Sequence, residues 1–231
     1  KIDNITSCFA LDKIPTGSND PYALRRQSLG IIKTAYKYKL NLNMEDIFNY
    51  SISLVSEKVK VKDNLFEKIK EFFVQRLKND LLENSIKHDI VDSVLFNEKL
   101  NDLYSSQEKA RFLNSESVNF QTEITALARI MRICKEDYNY EISDNLFEKD
   151  EERNLYQADK EIKDEFEKYY SEYNYLECMN TLAKITDKIN LFFDNVMVMA
   201  NDENIKKNRL SLLSRIKEMS NKICNMDKLI V

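Results

Sequence analysis

From residue 31 to residue 231 this sequence contains neither glycine nor proline. The whole chain has 2 of each, Gly17, Gly30, Pro15 and Pro21, where average usage would give roughly a dozen or more. Tight β-hairpins take glycine for its positive φ, and phosphate-cradling loops take it so that backbone can approach a ligand closely. A multi-stranded sheet, a P-loop and a dinucleotide-binding fingerprint are therefore all disfavoured. The expected fold class is all-α.

The 231 residues suit one large or two small domains at about 100–200 residues each. Hydrophobic residues at 43% can build a core, and charged residues at 32% can cover it. Cys8, Cys134, Cys178 and Cys224 are scattered, with no CxxC spacing. That pattern argues against a disulfide framework or a zinc knuckle and for free thiols in a reducing cytoplasm. No apolar run reaches the roughly 18 residues of a membrane span. Lys1, not Met, opens the chain inside an apolar pattern of Ile2, Ile5, Phe9 and Leu11, so we read it as a piece of a longer protein. The net charge of −4 gives no global attraction to nucleic acid, and any RNA contact must come from local basic ridges.

In the first half, Asp20 is expected to cap a helix with Pro21 at its first position, running to about Lys39, because proline's missing N–H costs nothing there. Asn43 is expected to cap a helix carrying Ile47, Tyr50, Leu54 and Val55. Asp63 is expected to cap a third, over residues 65–82, with Phe66, Ile69, Phe73 and Leu77 at helical spacing. Shorter helices are placed near 89–96 and 97–113.

From residue 115 onward four long seams appear. The first carries Phe120, Ile124, Leu127, Met131 and Cys134; the second carries Leu155, Ala158, Ile162, Phe166, Tyr169, Tyr173 and Leu176. The third carries Leu182, Ile185, Ile189, Phe192, Val196 and Met199, and the fourth Ile205, Leu212, Ile216, Met219 and Ile223. Narrow stripes of this kind suit an antiparallel bundle. The polar stretch 135–150 is the long connection between the first two seams.

Catalytic chemistry finds little support. His88 is the one histidine and reads as a solvated or capping residue. Carboxylates occur in runs such as Asp150-Glu151-Glu152, which are expected to be solvated faces and not an acid–base pair. Basic residues are better organised. Arg129, Arg132 and Lys135 follow one another at i, i+3, i+6 and form a ridge facing away from the core. Lys206 and Lys207 open the last seam. Tyr138 and Tyr140, just after the ridge, could stack on unpaired bases. Arg209 occupies a slot where the last seam expects an apolar residue, and a buried arginine needs a partner. Asp194 is the expected one, locking two helices together. Met197 and Met199 are expected to fill core.

Two stretches resemble one family. Residues 14–32, IPTGSNDPYALRRQSLGII, look like the segment closing the HD-like domain of the β subunit of bacterial tetrameric glycyl-tRNA synthetase. Residues 192–216, FFDNVMVMANDENIKKNRLSLLSRI, look like the end of that subunit's DALR-type anticodon-binding domain. Residues 127–135 (LARIMRICK) and 146–155 (LFEKDEERNL) are weaker matches in the right order. The resemblance implies a helical segment followed by an antiparallel bundle of DALR type, with 1–40 ending the HD-like domain, 41–114 forming a helical body–tail segment and 115–231 binding the anticodon.

It further implies a function at a distance from chemistry. The α subunit of such an α2β2 assembly carries the site for glycine and ATP with Mg. The β subunit binds tRNA(Gly) in the cytoplasm, and this segment holds no cofactor or metal and engages neither membrane nor DNA. A glycine anticodon has cytosine at its second and third positions, so a carboxylate or backbone carbonyl should meet their amino groups. The family usually shows a Lys-Arg pair and a later Asn in the 127–135 stretch, where this chain has Ala128, Arg129 and Arg132. Arg129 therefore inherits an RNA-binding role more directly than Arg132. The His-Asp residues that name the HD-like fold would lie upstream, and nothing supports a phosphohydrolase. The rival is a helical protein–protein scaffold without RNA binding.

Overall fold

The computed structural model describes residues 1–96 and 102–230. They form helices joined by turns, and their only β pairing is the isolated bridge between Thr16 and Asn19. Two compact units result: one comprises Lys1–Val91 with Leu95–Arg111, the other Asp92–Val94 with Phe112–Val231. No helix among the described residues is long and apolar enough to cross a membrane.

In the first unit, α1 (Ile2–Ala10), α2 (Leu24–Tyr38), α3 (Met44–Ser56) and α4 (Leu65–Glu83) pack around a phenylalanine core. Phe9 meets Phe72 at 5.1 Å and Phe48 meets Phe73 at 4.9 Å between ring centroids, both edge to face. Such pairs add about 0.5–1.5 kcal/mol beyond area burial. The helix starts differ from the sequence expectation in two places. Asp20 does accept from the backbone N–H groups of Leu24 and Arg25, at 2.8 and 3.0 Å. It does so across a turn, because Ala23 adopts a left-handed conformation (φ 54°) and α2 begins only at Leu24. Asp63 caps nothing: α4 follows Asn64, whose side chain makes no capping bond. Asn43 caps α3 as expected, accepting from Glu45 and Asp46 N–H. That helix buries Met44, Phe48 and Ser51, while Tyr50 and Leu54 face solvent. Both faces have helical spacing, and the contact with Phe73 selects the one carrying Phe48. Two further helices come next, α5 (His88–Val94) and α6 (Leu103–Glu116); residues 97–101, at the start of the helix expected over 97–113, lie outside the described residues.

The second unit contains α7 (Gln121–Ile133), α8 (Asp150–Ser171), α9 (Tyr175–Ala183), α10 (Thr186–Asn195) and α11 (Glu203–Ile223). The first seam is buried throughout, from Phe120 to Cys134. The second and third seams each break. Tyr173 sits at φ 57° between α8 and α9, and the Asn174 side chain caps α9 from Glu177 N–H. Leu176, now on the far side of that turn, is exposed. Four expected helices are thus five. Beyond α10 the backbone opens at Val196 (φ −115°, ψ 121°) and bends at Val198 and Met199, where Ala200 N–H donates to Val198 O at 3.0 Å. Val196 and Val198 are buried, and Met197 and Met199 are exposed at 74% and 51%. These methionines do not fill core, because α10 ends at Asn195 and the helical stripe that would have buried them ends with it.

Candidate nucleic-acid interface

The second unit is organised around one buried cation. Arg209, on α11, is 4% exposed. Its Nε donates to Glu152 Oε1 at 2.8 Å, and its Nη2 donates to Glu152 Oε2 at 3.1 Å and to Glu148 Oε2 at 2.8 Å. Its Nη1 donates to the backbone carbonyl of Met197 at 3.1 Å. Glu152, fully buried in the first turn of α8, also accepts the N–H groups of Glu148 and Lys149, both at 2.9 Å. Burial alone would pull the Arg209 guanidinium down, but the bonds and charges of Glu152 and Glu148 reverse this and raise it above its usual value. The expected Asp194–Arg209 pair does not form. Asp194 is 67% exposed and lies 3.9 Å from Arg129 Nη1. Arg209 takes its partner from α8 instead, 57 positions earlier.

One of the acidic residues read as a solvated run is therefore the anchor of this network. A helical signal was present: Glu152 lies three residues before Leu155 of the second seam, on the buried side of α8. The same holds for Asp159, beside Ala158, which is buried and accepts from Arg215 Nε at 2.6 Å. Burial pushes the Asp159 carboxyl up, against the opposing pull of Arg215.

Arg129, Arg132 and Lys135 are all exposed. However, α7 ends at Ile133, so only the two arginines share the helix and Lys135 lies beyond it. Both arginines have partners. The Arg129 guanidinium lies 4.3 Å from the Phe193 ring centroid, and Arg132 is paired with Asp227. Lys206 pairs with Glu203 at 3.1 Å, one helical turn away. Lys207 lies 5.2 Å over the exposed ring of Tyr140, so the fold brings together two candidates 67 positions apart in sequence. Tyr138 is half-buried and its N–H donates to Ser214 Oγ at 3.1 Å. The connection between α7 and α8 is pinned along α11 by this bond, by Lys217 to Glu136 and Asp137, and by a reciprocal pair between Asn208 and Ser143. Sequence reasoning missed Phe193 and Asn208; Phe193 follows Phe192 of the third seam, and Asn208 lies between Lys207 and Arg209.

Residues 1–96 match the family model described as glycyl-tRNA synthetase beta subunit, and residues 120–226 match the DALR anticodon binding domain. The chain is 36% identical over 233 residues to the glycine–tRNA ligase beta subunit of Halothermothrix orenii, covering 99% of this chain and 34% of that protein. It is 32% identical to the beta subunits of Clostridioides difficile and Bacillus subtilis, covering all of this chain and 34% and 33% of those proteins. The chain belongs to the glycyl-tRNA synthetase β-subunit family. It spans about a third of the length of these curated relatives. Within this β-subunit chain the DALR match covers the Arg209–Glu152 network, the Arg129–Phe193 stack and the Tyr140–Lys207 pair. Among the described residues no group of three His, Cys, Asp or Glu side chains is arranged to hold a metal.

Proposed function

We propose that this chain is the tRNA-holding, anticodon-reading portion of a cytoplasmic glycyl-tRNA synthetase β subunit. It supports ATP-dependent attachment of glycine to tRNA(Gly), with the chemistry, and the ATP and Mg it uses, on the α subunit of an α2β2 assembly. The observation that carries this reading is the match of residues 120–226 to an anticodon-binding model, in a unit whose surface offers cations on aromatic rings at Arg129–Phe193 and Lys207–Tyr140. Arginine and lysine provide the phosphate contacts that position an RNA, and exposed aromatic faces stack on splayed bases.

The test is binding of the full chain to tRNA(Gly) across a salt series, beside a tRNA altered only in its anticodon. The reading expects affinity that falls with salt and falls again on anticodon change. Binding blind to the anticodon, or none, would favour the helical protein–protein scaffold.

A further inference from the structure

Arg215, on α11, is held by one end only. Its Nε donates to Asp159 Oδ2 at 2.6 Å, and Asp159, on α8, is 1% exposed. Neither Nη group of Arg215 donates to any described residue, and the side chain keeps 37% of its surface open to solvent. A guanidinium presents its N–H donors in a rigid planar fork. Here a buried carboxylate fixes the orientation of that fork and leaves its Nη groups without a protein acceptor.

Two lysines stand around the same anchor. Tyr156, Asp159, Lys160 and Lys163 fall on one side of α8, because residues three, four and seven apart share a helix face. The Tyr156 ring gathers two of the cations: Lys160 Nζ lies 3.7 Å from its centroid and Arg215 Cζ lies 5.8 Å from it. Burial raises the Asp159 carboxyl, while Arg215, Lys163 and Lys160 all pull it the other way. Both lysines are exposed, and neither forms an ion pair among the described residues. Glu161 and Asp164 neighbour them on α8, and Glu141 and Asp144 share a cleft with Tyr156 and Lys160. None of these four carboxylates pairs with either lysine.

We infer that Arg215, Lys160 and Lys163 form a binding site for one phosphate group on the α8–α11 side of the second unit. Two phosphate oxygens accept from the Arg215 Nη groups in the bidentate manner that suits this anion. The lysines add compact charges on flexible stems. Asp159 is the positioning residue. It holds the guanidinium in place before the ligand arrives, so little side-chain freedom is lost on binding. A free phosphate and a phosphodiester of RNA present the same oxygens to this fork; only the second source rests on the tRNA reading above.

Two arms of one experiment on the full chain test the site and separate the sources. In the first, inorganic phosphate is titrated against chloride at constant ionic strength while the Arg215 Nε–H and backbone amide resonances are followed. Saturable shifts at residues 156, 159, 160, 163 and 215 are expected. Lys160→Gln with Lys163→Gln, both at exposed positions, should weaken binding on the order of tenfold. Arg215→Met alone would leave Asp159 buried and unpaired, so it is combined with Asp159→Leu, and this pair should abolish the shifts. If it unfolds the chain, the two lysine substitutions decide alone.

In the second arm the same variants bind tRNA(Gly) across a salt series. A slope of log affinity against log salt reduced by about 1 assigns the site to an RNA phosphodiester. An unchanged slope with lost phosphate shifts assigns it to a free phosphorylated ligand. Phosphate shifts that survive the substitutions overturn the site. So does a wild-type chain without saturable shifts whose variants keep its salt slope. If the wild-type chain binds no tRNA, the tRNA reading falls, and the phosphate titration still decides the site.

Discussion

Arg209 grips Glu152 through two N–H···O bonds, Nε to Oε1 and Nη2 to Oε2, with both side chains sealed from solvent. A third bond runs to the carbonyl of Met197, so a single guanidinium joins the start of α8, the segment after α10, and α11. Arginine's planar fork suits this carboxylate geometry in a way that a lysine ammonium does not.

Removing one partner leaves the other charge buried and uncompensated. Arg209→Met is expected to cost about 3–5 kcal/mol of unfolding free energy, and Glu152→Gln should also destabilise strongly. Asp194→Ala, at an exposed site, should stay within about 0.5 kcal/mol. Urea titrations of the three variants check this ordering. A larger loss at Asp194 than at Arg209 would refute the network.

Arg129→Ala should weaken tRNA(Gly) binding and lower the slope of log affinity against log salt by about 1. Its stack on Phe193 is exposed, and such contacts contribute about 0.5–1 kcal/mol, so the melting temperature should change little. An unchanged salt slope would remove Arg129 from the phosphate contacts.

Burial raises the Asp80 carboxyl above its ordinary value, opposed by Lys33 3.9 Å away. A folded-state pKa above the unfolded one means that the native chain holds the proton more tightly. The stabilisation is fully present below the unfolded value of about 3.9 and is lost as pH rises through the folded value. Wild type should therefore lose stability over that interval relative to Asp80→Asn, which cannot ionise. Denaturation midpoints of both across a pH series test this, and a constant gap between them would contradict it.

Of the seven methionines, Met197 and Met199 are exposed and the other five are buried. All four cysteines are buried thiols outside any disulfide, and burial pushes the Cys134 thiol up to about 11. Mild peroxide should convert Met197 and Met199 to sulfoxides first. Iodoacetamide should leave the thiols unmodified until the chain unfolds, since the thiolate is the reactive form. Peptide mass spectrometry reads both, and early oxidation of Met179 or Met226 would contradict the packing.

Helical periodicity placed the first seam well, because Ile124, Leu127 and Met131 lie on one buried stripe of α7, with Phe120 and Cys134 buried at its two ends. It failed where a turn interrupts the stripe. Periodicity continues through Tyr173 to Leu176, but the left-handed residue at Tyr173 redirects the chain into α9, and Leu176 ends in solvent. Capping was legible at Asn43, where the side chain reaches its own next turn. It misled at Asp63, because an acidic residue before a helix caps only if the backbone presents it there.

The sequence alone determined the helical class, through the loss of glycine and proline after residue 30, and it marked Arg209 as a residue out of place on an apolar stripe. It also carried the family, in segments long enough to be matched. Only the tertiary structure decided which carboxylate answers Arg209, which face of α3 is covered, and that Tyr140 meets Lys207. The reason is physical. Local sequence sets backbone conformation and the spacing of side chains along one helix, whereas a partner is chosen by packing between helices, where a residue 57 positions away can be nearer than one 15 positions away.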